Sequence, residues 1–166
     1  MSRRLKQVAG VGLVVFAAAQ FIRPKSANPP TDAARTIQAQ MGTRSELVAV
    51  LDRACSDCHS NRTVGPWYAQ VAPVSWLMAY GVSEGRKAVN FSEWAGYSTD
   101  RQRMLLAASC QDSRTGKMPV SIYVTLHPEA RLSPEDVETI CAAAQLTQAS
   151  ARQPAQEAAT SPPPLR

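Results

Sequence analysis

Apolar residues recur along this chain at spacings of three and four, and no segment of the central region alternates at period two. That pattern predicts an all-α protein. The first amphipathic run spans Thr43 to Cys58, with Leu47, Leu51, Ala54, Cys55 and Cys58 on one face and a Thr43/Glu46 capping box at its start. Residues 60–73 carry Asn61, Gly65, Pro66 and Pro73 and read as a loop. Pro73 suits the first turn of a second helix, which runs to about Lys87 with Val74, Leu77, Met78 and Val82 along one side. Gly81 and Gly85 either weaken that helix or let another backbone approach it. Thr99 and Gln102 cap a third helix reaching about Gln111, with Met104, Leu105 and Ala108 as its apolar positions. The last helix has the most consistent start. Ser133 is the N-cap, Pro134 the first helical residue and Asp136 the reciprocal cap, with Leu132 and Val137 as a hydrophobic staple; Val137, Ile140, Cys141 and Ala144 form its inner face.

The two ends differ from this middle. Residues 8–22 are apolar apart from Gln20 and follow Arg3, Arg4 and Lys6, so residues 1–22 read as a signal peptide or a short membrane anchor. Ala17–Ala19 offers a cleavage site; Phe21, Ile22, Arg23 and Lys25 favour retention as an anchor. Residues 23–42, with Pro24, Pro29 and Pro30, read as a stiff linker, and residues 147–166 as a disordered tail rich in Ala, Gln and Pro. One compact domain is thus expected over residues 43–146. The net charge of +5 is carried entirely by Arg3, Arg4, Lys6, Arg23 and Lys25. The remainder is balanced, which argues against a nucleic-acid partner.

Within the domain, Cys55-Ser56-Asp57-Cys58-His59 carries specific chemistry. Two thiols separated by two residues, followed at once by a histidine, form the attachment pattern of a c-type haem. Cys55 and Cys58 would bond the two vinyl groups, and His59 would ligate iron from the proximal side. A thioredoxin-like thiol pair does not need the histidine, and a zinc site needs further ligands. A structural zinc module using all four cysteines stays open at this point.

Gly116-Lys117-Met118-Pro119 supplies a candidate for the opposite face of the iron. The Met118 thioether is a soft distal ligand, and Pro119 stiffens the loop that holds it. Met78, Met104 and His127 are rivals, the first two reading as helix-core residues. Trp67, Trp76, Arg86, Pro119 and Tyr123 are candidate haem-pocket residues, with Arg86 or Arg62 available to a propionate. Cys110 and Cys141 are candidates for a disulfide worth on the order of 3 kcal/mol, in keeping with an oxidising compartment.

Taken together, these residues resemble the bacterial haem-binding domain family of small exported cytochrome c-like proteins. The likeness runs through Cys-Ser-Asp-Cys-His-Ser-Asn (55–61), Pro-Trp-Tyr (66–68), Ala-Pro-Val-Ser-Trp-Leu (72–77), Glu-Gly-Arg (84–86), Asn-Phe-Ser-Glu-Trp (90–94), Gly-Lys-Met-Pro (116–119) and Leu-His-Pro-Glu-Ala-Arg-Leu-Ser (126–133). Gly65 and Gly81 depart from it, standing where an aromatic and an acid are expected. The resemblance implies a helical fold wrapped around one covalent haem c, held by Cys55, Cys58 and His59, with Met118 distal. The expected function is single-electron transfer rather than catalysis, on the periplasmic side of a bacterial inner membrane, with a redox protein or membrane complex as partner. A haem-based sensor or enzyme with an openable sixth position is the alternative.

Overall fold

The structure, a computed structural model, describes residues 2–24, 27–42 and 45–160, with side chains as far as Thr147. Helix and turn make up the described residues, and no strand occurs among them. The α-helices are α1 (Arg3–Ala19), α2 (Ile37–Met41), α3 (Glu46–Ala54), α4 (Ser56–His59), α5 (Val74–Ala88), α6 (Thr99–Arg114), α7 (Ser121–Leu126) and α8 (Pro134–Thr160). Short 3-10 segments at Ala33–Arg35, Trp67–Gln70, Phe91–Gly96 and Pro128–Ala130 connect them. The expected all-α class is what the chain adopts.

The chain divides into two compact units, Met1–Pro30 with Asp57–Asn90, and Thr31–Ser56 with Phe91–Arg166. It passes from the second unit into the first between Ser56 and Asp57, within the Cys-x-x-Cys-His motif.

In the first unit α5 is the organising element. It buries Ser75, Val82 and Gly85; of the expected side Val74, Leu77, Met78 and Val82, Val82 is buried while Leu77 is 60% exposed. Gly85 lies in the buried stripe where other backbone comes close. Gln20, Ile22 and Asn28 are bonded to the rest of this unit. The Gln20 amide accepts from the Ala72 N–H at 3.0 Å. The Trp76 indole donates to the Ile22 carbonyl at 2.7 Å. Asn28 and Thr63 exchange two hydrogen bonds of 3.0 and 3.2 Å. Side-chain-to-backbone bonds of this kind carry no hydrophobic signal, so composition alone reads the segment as a linker.

α1 is 17 residues long and buries none of them. No helix among the described residues is long and apolar enough to cross a membrane.

In the second unit α6 and α8 pack together and are joined by a Cys110–Cys141 disulfide with a Cα–Cα distance of 4.7 Å. Ile37 is fully buried and Thr36 nearly so. The later part of the segment read as a linker therefore belongs to this core, a single isoleucine being too little to register as a pattern. α6 is capped by Ser98, whose hydroxyl accepts from the Arg101 N–H, rather than by Thr99. Gln102 instead donates to the Trp94 and Tyr97 carbonyls. Leu105 and Leu106 are the buried pair on α6, while Met104 is 57% exposed and is no core residue.

α8 starts as its sequence dictates. The Ser133 N–H donates to the Asp136 carboxylate at 2.8 Å, and the Asp136 N–H donates back to the Ser133 hydroxyl at 3.2 Å. The helix continues to Thr160, through most of the segment read as a tail. Its Ala- and Gln-rich composition has high helix propensity.

Candidate functional site

The motif is built on a break. α3 is capped by the Ser45 hydroxyl, which accepts from the Val48 N–H; Thr43, expected as the cap, lies outside the described residues, as does Lys25. Leu47, Val48, Val50, Leu51 and Ala54 are buried, and α3 then stops. Cys55 is its C-cap at φ −127°, ψ −34°, and α4 resumes one residue later. The two cysteines are therefore not on one continuous helix as the periodicity predicts: Cys55 ends α3, and Cys58 and His59 ride on α4. Neither cysteine is in a disulfide, and both are half-buried.

In the first unit, Cys58, His59 and Ser60 are each held from α5 and the residue just after it. A Cβ placed on Gly85 would lie 2.5 Å from the Cys58 carbonyl oxygen and 3.1 Å from the Cys58 Cβ. Only glycine permits that approach, so the sequence alternative of close backbone packing applies to Gly85. Gly81 has nothing within 4 Å of the same position. The His59 Nδ1 faces the Val89 carbonyl at 3.2 Å. Proton donation to that oxygen places the hydrogen on Nδ1 and leaves the lone pair on Nε2. Arg86 donates from Nε to the Ser60 carbonyl at 2.8 Å. Its other nitrogens reach the Ala27 carbonyl, Asn28 Oδ1 and Thr63 Oγ1 at 3.1, 2.7 and 3.0 Å. Arg86 is thus a structural clamp rather than the solvated cation considered from the sequence. Thr63 Oγ1 also donates to the Asp57 carbonyl at 2.6 Å, and the Val64 N–H donates to the Asp57 carboxylate at 3.0 Å. Burial foremost, and then the Asp57 charge, push the Cys58 thiol up from its ordinary pKa, with Arg86 pulling the other way.

The aromatic candidates in this unit do not form a wall. Trp67 is 80% exposed and meets Tyr68 edge-on at 5.8 Å. Trp76 is 37% exposed and bonded to Ile22. Met78, one rival for the iron, lines a cavity of about 280 Å³ together with Gln20, Ser75 and Val82.

In the second unit Met118 is half-buried on the turn that follows α6. Gly116 at φ +67° reverses the chain, and the Lys117 and Met118 N–H groups both donate to the Asp112 carbonyl at 2.9 and 3.1 Å. The Met118–Pro119 bond is cis. Tyr123 stacks on His127 with ring centroids 4.3 Å apart, and His127 Nδ1 lies 3.1 Å from the Glu129 carboxylate. Trp94 is buried, and its indole N–H has no hydrogen-bond partner. Sequence reading assigned Trp94 no role, because an orphaned donor is visible only once packing is known.

The disulfide takes two of the four thiols that an all-cysteine zinc module would require, which removes that alternative. No cluster of three or more His, Cys, Asp or Glu side chains suited to a metal ion occurs among the described residues.

No curated protein and no solved structure matches this sequence. The family model of the haem-binding domain does, over residues 14–145. That span takes in both units and every residue of the motif, and its description agrees with what Cys55, Cys58 and His59 are equipped to hold: the chain belongs to the haem-binding domain family, and its cofactor is haem.

Proposed function

We propose that the protein is an exported c-type cytochrome that carries one haem c, thioether-linked to Cys55 and Cys58, and passes single electrons between redox proteins on the periplasmic side of a bacterial inner membrane. The observation that carries this reading is the environment of His59. Its Nδ1 is engaged by the Val89 carbonyl at 3.2 Å, in direct sequence with a free, half-buried thiol at Cys58. A histidine held by one nitrogen in a motif whose two cysteines are in no disulfide has the donor set that a covalently attached haem needs.

Haem, when bound, supplies a one-electron iron couple. The chain's part is to fix and tune it. His59 presents Nε2 with its ring orientation set by Val89. Cys55 and Cys58 supply two nucleophilic sulfurs on either side of a helix break, which frees each to take its own direction. Met118 is the proposed distal ligand. Its thioether favours the ferrous state, and the doubly bonded Asp112 carbonyl holds its loop. Were His59 and Met118 both to hold the iron, a substrate would find no open position there, which favours a carrier over an enzyme.

The test uses the full chain produced with haem-attachment machinery. Haem that stays with the polypeptide through acid–acetone extraction, with a mass increase on the peptide containing Cys55 and Cys58, is the expected result. The pyridine adduct of the wild type should be that of a doubly saturated porphyrin, and Cys55→Ala should shift it to the single-thioether form. Met118→Ala should remove the methionine–iron charge-transfer band. Haem that extracts freely would overturn covalent attachment. Ready carbon monoxide binding by the ferrous wild type would replace the carrier by a sensor or enzyme with an open sixth position.

A further inference from the structure

The apolar surface beside the end of α1 has no use in haem binding. The C-terminal buried stripe of α5 faces Cys58 through Gly85. At 100° per residue, Trp76 and Tyr80 lie about 120–180° round the helix from Val82 and Gly85, and Leu77 lies about 140° from Val82 and about 80° from Gly85. Leu77 is 60% and Tyr80 65% exposed, and Trp67 at 80% stands on the 3-10 segment that leads into the same end of α5. The exposed face of α5 turns polar only further along, at Glu84 and Lys87, which pair with each other. An apolar, aromatic half-face on one helix, away from the motif, is a contact surface rather than part of a haem pocket.

Its neighbour identifies the occupant. Gln20, at the C-cap of α1, is hydrogen-bonded to Ala72, and Trp76 is hydrogen-bonded to Ile22. The end of α1 is thereby fastened to the N-terminal turns of α5, with no slack for a spacer. α1 itself exposes Val8, Val11, Leu13, Val14, Val15 and Phe16, the surface of a helix whose solvent is lipid. At 17 residues its length is about 25 Å, several ångströms less than the hydrocarbon thickness of a bilayer. A helix that short, tied directly to the folded unit, draws that unit down to the membrane surface. Tryptophan and tyrosine are the side chains that suit the zone between headgroups and acyl chains.

We propose that the first unit docks on a lipid bilayer through Trp76, Leu77 and Tyr80, with Trp67 at the margin, while α1 lies within the bilayer. This rests on the reading of residues 1–22 as a retained anchor. The docked unit carries His59, so docking fixes the orientation of the haem ligand relative to the membrane. It also leaves electron exchange to partners that approach along or above that surface.

The experiment is photocrosslinking of the full, haem-loaded chain in vesicles of phosphatidylcholine and phosphatidylglycerol that contain a lipid with a diazirine near the acyl-chain carbonyl. Crosslinked residues are then located by peptide mass spectrometry. The expected result is lipid adducts on α1 and, separately, on residues 74–80, with none on exposed Met104 of α6. In the Leu77→Glu/Tyr80→Glu variant the adducts on residues 74–80 should fall to background while those on α1 persist. Both positions are exposed, so unchanged absorption and far-ultraviolet dichroism confirm that the variant folds. Adducts on α1 without any on 74–80 in the wild type would overturn docking and leave the anchor standing. Absence of adducts on α1 would overturn the anchor itself. Crosslinks between two copies through residues 74–80 would assign the surface to self-association instead.

Discussion

Gly85 and Gly81 lie one turn apart on α5, and the structure gives them opposite fates when a methyl group is added. In an exposed helix, Gly→Ala gains about 1 kcal/mol from backbone entropy and propensity. Gly81→Ala meets nothing within 4 Å and should show that gain. Gly85→Ala collects the same gain, but its Cβ would sit 2.5 Å from the Cys58 oxygen and 3.0 Å from the Cys58 carbonyl carbon. Both are backbone atoms, so no flexible side chain can swing aside. The helix or the motif must move by about half an ångström before the contact becomes tolerable, and overpacking of that kind costs roughly 1–3 kcal/mol. Because propensity cancels between the two variants, their difference in stability reports the steric term alone. Urea unfolding of the full chain in detergent, followed by far-ultraviolet dichroism, should separate their midpoints by roughly 1 M at an ordinary slope, with Gly85→Ala the lower. Gly85→Ala should also lower the yield of attached haem, since the displaced atoms belong to Cys58. Equal midpoints for the two variants would mean that α5 does not press on the motif, and the account of how Cys58 is positioned would fail.

Three further outcomes follow from particular contacts. Replacing Cys110 and Cys141 together by serine opens a loop of 31 residues and should lower stability by about 3.7 kcal/mol on the chain-entropy account, measured by thermal or urea unfolding with haem retained. The Asp136 carboxyl is held below its ordinary pKa, first by the Ser133 N–H and then by Arg53. Its stabilising contribution is therefore complete above the unfolded-state value and is lost as the pH falls through the folded-state value. Asp136→Asn should weaken the chain at pH 7 and flatten that part of the stability profile below about pH 4, as read from unfolding midpoints across an acid series. Arg86→Ala removes four donated hydrogen bonds that join the Ser60 carbonyl to Ala27, Asn28 and Thr63. It should cost more than about 2 kcal/mol, and Arg86→Lys, with a single point of donation, should restore little of it.

What the sequence discloses here depends on whether a feature is local. The Ser133/Asp136 box, the helical class and the motif are written in neighbouring residues and can be read directly. The break at Cys55 could not be, because Leu47, Leu51, Ala54 and Cys58 keep helical spacing straight through it. On α5 the pattern locates Val82 but not Ser75 and Gly85, which a hydrophobicity pattern ranks below Leu77, although the close backbone at Gly85 requires the smallest residue. Ile37, Gln20 and Ile22 join their units through one buried side chain or through bonds to main-chain groups, neither of which leaves a periodic mark.

The arrangement on α5 also shows why a Cys-x-x-Cys-His pentapeptide is not sufficient by itself. Gly85, Arg86 and Val89 lie within about one turn, and they address Cys58, Ser60 and His59 in turn. Each uses a different physical means: a missing side chain, a charged donor and a main-chain carbonyl. The last is at the end of α5, where Val89 is the C-cap and its carbonyl lies beyond the ladder of helical hydrogen bonds. A carbonyl left over by helix termination is thus used on His59, and the helix end and the ligand orientation are one feature. Extending α5 by a residue would turn that carbonyl along the helix axis and release the imidazole, even with Cys55, Cys58 and His59 untouched. The motif supplies the candidate ligands, and the Val89 carbonyl at the end of α5 is what His59 Nδ1 faces.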